Sequence, residues 1–120
     1  MKKIKLNHFF PLFLFCQVIG QNWFQSQLIE RQFNQAVVHY NEGRYATSES
    51  ILKKILAGES DVYEESSLVL LIKSQIGLNR NQLAKESSRV FLERYPESIF
   101  WKNVMESLGD LYVNEHNYSS

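Results

Sequence analysis

From Leu28 onward, apolar residues recur three and four places apart, and no stretch alternates apolar and polar residues long enough to make a strand. Leu28, Ile29, Phe33, Ala36, Val37 and Tyr40 fall on one side of a helix that Gly43 should end as a left-handed C′ residue. A second helix is predicted from about Tyr45 to Ala57, with Ile51, Leu52, Ile55 and Leu56 as its stripe and Gly58 after it. A third should start near Asp61, where Asp61 and Glu64 have the spacing of a capping box. Its Leu68, Val69, Leu70, Leu71, Ile72 and Ile76 surround the axis, as in a helix buried between neighbours. Gly77 to Asn81 reads as a turn, with Asn81 placed to cap a fourth helix, Gln82 to Tyr95. That helix carries Leu83, Ala84, Val90, Phe91 and Leu92, and Pro96 breaks it. A fifth begins near Ser98 and runs through Trp101, Val104, Met105, Leu108, Leu111 and Tyr112. Short turns between such helices force neighbours to pack antiparallel, so the pattern predicts an all-α chain.

The first twenty residues do not follow this pattern. Lys2, Lys3 and Lys5 precede the uncharged run Phe9 to Ile19, which ends at Gly20. A basic start, a short apolar run and a small residue before the cut describe a secretory signal peptide, with cleavage before Gln21. The run is too short to span a bilayer, which takes about 20 apolar residues. Leu14 and Phe15 fit poorly with the small residues that precede an acylated cysteine, so Cys16 reads as part of the apolar run. The predicted organisation is therefore a leader (1–20), a short N-terminal segment (21–28) and a helical body (29–120).

The leader changes the composition. The whole chain has 120 residues, with 13 basic residues balancing 13 acidic ones and a single Cys. Removing residues 1–20 takes away three Lys, no acid and the Cys, leaving a thiol-free body with a net charge of −3. This is not the charge of a nucleic-acid binder, and a body without Cys is compatible with an oxidising compartment.

The body also repeats. At an offset of 36 residues Ser48 aligns with Ala84, Ile55 with Phe91, Leu56 with Leu92, Ser60 with Pro96, Ala36 with Ile72 and Tyr40 with Ile76. A third unit opens with Met105-x-x-Leu108-Gly109-x-x-Tyr112. This resembles the tetratricopeptide (TPR) repeat, whose first helix reads W-x-x-L-G-x-x-Y and whose second carries A, F, A and P. Gly43-Arg44-Tyr45 and Asn117-Tyr118 stand at the family's turn position. Gln32 and Gln35 replace large apolar residues, and Asn79-Arg80-Asn81 replaces the turn consensus. Phe91-Leu92-Glu93-Arg94-Tyr95-Pro96-Glu97-Ser98 is similar to the phrase that closes repeats in bacterial envelope TPR proteins of the BamD-like and TolA-binding kinds.

The resemblance implies repeats of about 29–64, 65–101 and 102–120, the last incomplete, stacked as a short right-handed solenoid. It also implies a non-enzymatic scaffold of the periplasm or the periplasmic face of the outer membrane. The other reading is a TPR head of a larger periplasmic enzyme or solute-binding protein. The next second-helix Ala would fall just past Ser120, so two and a half repeats of something longer are expected. The apolar side of the last helix, including Leu108, Leu111 and Tyr112, is then left for a further segment, a partner or self-association.

In TPR proteins the second, fifth, ninth and twelfth positions of each first helix face a partner-binding groove. Here these are Glu30, Phe33, Val37 and Tyr40, then Ser66, Val69, Lys73 and Ile76, then Asn103, Glu106, Asp110 and Val113. The resemblance therefore assigns Phe33, Val37, Tyr40, Val69, Lys73, Ile76, Glu106 and Asp110 to a mostly apolar strip with an acidic end. Such a strip suits an apolar peptide with a basic end, and Phe33 and Tyr40 should be replaceable without unfolding. No nucleotide-binding or catalytic motif is present, so no catalytic residue, metal, cofactor or small-molecule substrate is expected. His39 with Glu42 is too small a set for zinc, and Asp61, Glu64 and Glu65 suit a helix N-terminus. Asn117-Tyr118-Ser119 is an incidental sequon. Trp23, Phe24 and Trp101 are expected to pack against the body.

Overall fold

A computed structural model describes residues 23–119. The expected leader and Cys16 lie outside the described residues. Among those residues the chain is all-helical, without a strand: α1 (23–41), α2 (Tyr45–Ala57), α3 (Glu64–Gly77), α4 (Asn81–Arg94) and α5 (Trp101–Ser119).

The 36-residue offset is visible in the backbone. At the end of α1, Gly43 N–H donates to Tyr40 O at 3.0 Å and Arg44 N–H to His39 O at 2.8 Å. At the end of α3, Asn79 N–H donates to Ile76 O at 3.0 Å and Arg80 N–H to Gln75 O at 2.9 Å. These are two Schellman turns, which satisfy the last carbonyls of a helix. Each needs a left-handed C′ residue, supplied by Gly43 (φ 79°) and Asn79 (φ 59°). The residues that follow, Arg44 and Arg80, share one conformation, φ −87° and ψ 66° against φ −88° and ψ 66°. Asn79-Arg80-Asn81 thus makes the same turn as Gly43-Arg44-Tyr45 because Asn, like Gly, tolerates the left-handed region.

Successive helices run antiparallel. Ser48 Oγ, early in α2, donates to Ala36 O, late in α1, at 2.9 Å. Ser87 Oγ in α4 donates to Gln75 Oε1 in α3 at 2.8 Å, and Arg94 at the end of α4 pairs with Glu64 at the start of α3. Lys85 Nζ, early in α4, lies 2.6 Å from Glu115 Oε2, late in α5. Helix α3 touches α2, α4 and α5, which explains why its apolar residues encircle it.

The core has two adjoining parts. Ala36, Leu52, Ile55 and Leu71 join α1, α2 and α3. Leu68, Val69, Ile72, Phe91 and Val104 join α3, α4 and α5. Phe91 and Leu52 are fully buried, each removal from water stabilising by about 1.5–3 kcal/mol. Small residues fill the tight crossings: Ser48, Ser67, Ser74, Ala84 and Ser88 are buried, and Ser74 Oγ lies 3.4 Å from Ser48 Oγ. Glu49 is buried beside them, paired with Arg80 and 3.7 Å from Lys53.

Several local expectations need correction. The Asp61–Glu64 capping box does not form. Tyr63 takes a left-handed conformation (φ 63°), so α3 starts at Glu64 and Asp61 contributes only its carbonyl, which accepts from Glu64 N–H at 3.2 Å. Asn81 is the first residue of α4 rather than its cap, because Arg80 holds the cap position. Helix α5 begins at Trp101, since the Pro96 turn runs on until Ser98 Oγ accepts from Phe100 N–H at 3.0 Å. It then continues through Asn117 and Tyr118, so the turn expected there is absent. Trp23 and Phe24 lie on α1 but remain exposed, as does Trp101. Leu111 is buried against the body, not left open.

Candidate functional site

The side of the fold formed by α1, α3 and the start of α5 carries a shallow apolar depression of about 270 Å³. Phe33 and Val37 of α1, Ser66, Val69, Leu70 and Lys73 of α3, and Phe100 line it. Helical periodicity accounts for the arrangement. Phe33 and Val37 are one turn apart on α1, and Val69 and Lys73 are one turn apart at the equivalent place on α3.

Four of the eight residues assigned to the groove, Phe33, Val37, Val69 and Lys73, meet here. Val69 belongs to the buried core and gives the depression a rigid floor. Phe33 is half-buried, packs on the α1–α2–α3 core, and stacks on Tyr63 with ring centroids 5.0 Å apart. The stack holds the residue whose left-handed backbone starts α3, so Phe33 is structural as well as exposed to the groove. Lys73 is half-buried, and its ammonium has no ion pair with any described residue. It lines the depression without a carboxylate partner among the described residues.

Tyr40 and Ile76 lie outside the depression, further along the same helices. Both are half-buried, and Ile76 packs against the α3–α4–α5 core. The Tyr40 ring tilts against Tyr45 with centroids 5.3 Å apart. Burial, and then the neighbouring Tyr45, push its phenol above the ordinary value. The Tyr45 ring in turn lies across Gly77, where a Cβ would come within 2.7 Å of it. That close approach locks the start of α2 onto the end of α3. Glu106 and Asp110 are exposed on α5, and Glu106 lies 3.8 Å from Lys102.

Tyr63, Leu70 and Phe100 belong to this region without being singled out by the repeat pattern. Phe100 is the clearest case. It packs against the core while its neighbour Trp101 faces outward, because α5 starts three residues later than Ser98. A wider depression runs along the outer face of α1, where Gln27, Glu30, Arg31, Asn34, Gln35 and His39 line it with Val38 as its one hydrophobic side chain.

Elsewhere the polar chemistry is spent on holding the helices. His39 Nδ1 accepts from Arg44 Nε at 2.9 Å, and Glu42 pairs with Arg44, so both serve the first turn. Glu64 and Glu65 sit at the N-terminus of α3, where acids are favoured, and tie it to Arg94 and Ser98. No group of three or more His, Cys, Asp or Glu side chains comes together among the described residues. Among them no helix is long and apolar enough to cross a membrane. The chain matches no family model, no curated protein and no solved structure.

Proposed function

We propose that this chain is a TPR-type protein-interaction scaffold of the bacterial envelope, exported by its leader, that holds a partner's peptide or helix along α1, α3 and α5. The observation that carries the reading is the apolar depression between equivalent turns of α1 and α3, with Lys73 at its edge making no ion pair to a described residue. The paired Schellman turns 36 residues apart support a repeat architecture, and so does the packing of α5 on α3 and α4.

The site's chemistry defines its partner. An apolar side chain would fill the space between Phe33, Val69 and Phe100, and an acidic side chain beside it would pair with Lys73. A basic residue further along would meet exposed Glu106 and Asp110. A neutral apolar peptide would desolvate Lys73 without compensation and bind less well.

Selection of a random peptide library on residues 21–120 tests this directly. Selected peptides should combine apolar residues with an acidic one. Lys73→Glu should weaken them at least tenfold, while Val38→Glu, on exposed α1 surface away from the groove, should not. Peptides that bind both variants equally would refute the assignment.

A further inference from the structure

The N-terminal end of α1 carries large apolar side chains that the body leaves uncovered. Trp23 and Phe24 are 63% and 58% exposed, and Leu28, one turn beyond Phe24 on the same side, is 39% exposed. Ile29 is the first residue of this stretch to pack on the α1–α2–α3 core. From Leu6 to Ile29 the chain carries no Asp, Glu, Lys or Arg, so Lys5 and Glu30 are the nearest charges on either side. Glu30 is seven residues past Trp23, about 10 Å along the helix axis. A helix end with two exposed aromatics and no charge can enter an apolar environment without stripping water from an ion.

The chain places its leader directly beside this end. The apolar run closes at Ile19, four residues before Trp23. Four residues reach at most about 14 Å. While the run lies in a bilayer, Trp23 and Phe24 are therefore tethered at the membrane surface, whose headgroup layer is about 5–8 Å thick on each side. Trp is enriched in that layer, because an indole offers an apolar body to the acyl chains and an N–H donor to water or a headgroup. Phe24 and Leu28 add apolar area beside it, and the intervening Gln25, Ser26 and Gln27 are polar without being charged.

We infer that the N-terminal end of α1 is a membrane-interface contact, with Trp23, Phe24 and Leu28 seated in the headgroup layer of the bilayer that holds the leader. Glu30 and Arg31 limit the contact to this end of the helix. The groove residue Phe33 lies nine residues beyond Phe24, about 14 Å along α1, so the groove stays clear of the lipid while the chain is held. Stable attachment of a peripheral chain takes two signals. Here the leader and the aromatic end act together, and the cut before Gln21 leaves only one of them. The inference rests on the leader reading and not on the groove.

The test uses the full-length chain with phosphatidylcholine vesicles. Trp101→Phe leaves Trp23 as the one indole. Lipids brominated near the headgroup end of their acyl chains should quench Trp23 more than lipids brominated near the tail end, and its emission should shift to the blue. In the converse Trp23→Phe chain, Trp101 should be quenched by neither. Trp23→Glu should weaken vesicle binding at least tenfold with its helical circular dichroism unchanged, whereas Val38→Glu, exposed on the same helix, should not. A vesicle-bound chain with Trp23 unquenched, equal quenching of Trp23 and Trp101, or unchanged binding by Trp23→Glu would overturn the inference and leave the leader reading standing. A full-length chain that stays off the vesicles would overturn both.

Discussion

Substituting Gly43 separates the backbone logic of the repeat from its packing. Gly43 sits at φ 79°, and a Cβ added there would meet nothing within 4 Å. Gly43→Ala therefore creates no clash and tests the left-handed conformation alone. That conformation costs a residue with a Cβ about 1–2 kcal/mol. Ala also restricts the unfolded chain, returning about 0.4–1 kcal/mol. The net loss should be about 1 kcal/mol, which lowers the melting temperature of a domain near 100 residues by about 4–8 °C. Asn79 occupies the equivalent turn at φ 59°. Asn79→Gly relieves its smaller strain and should be neutral or stabilising by up to about 1 kcal/mol. Urea unfolding followed by circular dichroism measures both, with an unchanged m-value showing that only stability moved. A neutral Gly43→Ala, or a loss in Asn79→Gly as large as in Gly43→Ala, would refute the equivalence of the two turns.

Other consequences follow from the core, the groove and the leader. Phe91 is fully buried where α3, α4 and α5 meet, so Phe91→Ala should cost about 3–5 kcal/mol and lower the urea midpoint sharply. The Tyr40 phenol is raised above the unfolded value of about 10, chiefly by burial. Its contribution to stability is intact below pH 10 and is lost as pH rises through the folded value. Tyr40→Phe should therefore flatten part of the alkaline fall in the urea midpoint while leaving pH 7–9 unaffected. Expression in a bacterial host with N-terminal sequencing of the exported protein should give Gln21 as the first residue, and replacing Lys2, Lys3 and Lys5 by Glu should retain the protein in the cytoplasm.

The helices and their order were legible because their apolar residues recur at helical spacing and Gly43, Gly58 and Pro96 punctuate them. The turn at Asn79 was harder to read. The sequence departs there from a Gly-based turn, and only the backbone shows that Asn supplies the same left-handed residue. The capping box failed for a tertiary reason, since Tyr63 stacks on Phe33, 30 residues earlier in the chain, and the turn it adopts removes Asp61 from the helix. Phe33, Val37, Val69 and Lys73 line one depression, whereas Tyr40, Ile76, Glu106 and Asp110 lie outside it. Phe100 and Tyr63 could not be found from repeat positions, because both lie in connections whose paths depend on packing. The aromatic residues Trp23, Phe24 and Trp101, expected to pack against the body, stay exposed because no described element lies over them. Phe33 carries more structural weight than a groove position requires, which makes Lys73 the cleaner probe of binding.

The most direct test of the central claim is backbone amide chemical-shift mapping of residues 21–120 titrated with a selected apolar–acidic peptide. The scaffold reading predicts shifts concentrated at Phe33, Val37, Val69, Lys73 and Ile76, extending to Glu106 and Asp110, and their loss in Lys73→Glu. Shifts confined to the outer face of α1, at Gln27, Arg31 and Asn34, or unchanged binding by Lys73→Glu, would contradict it.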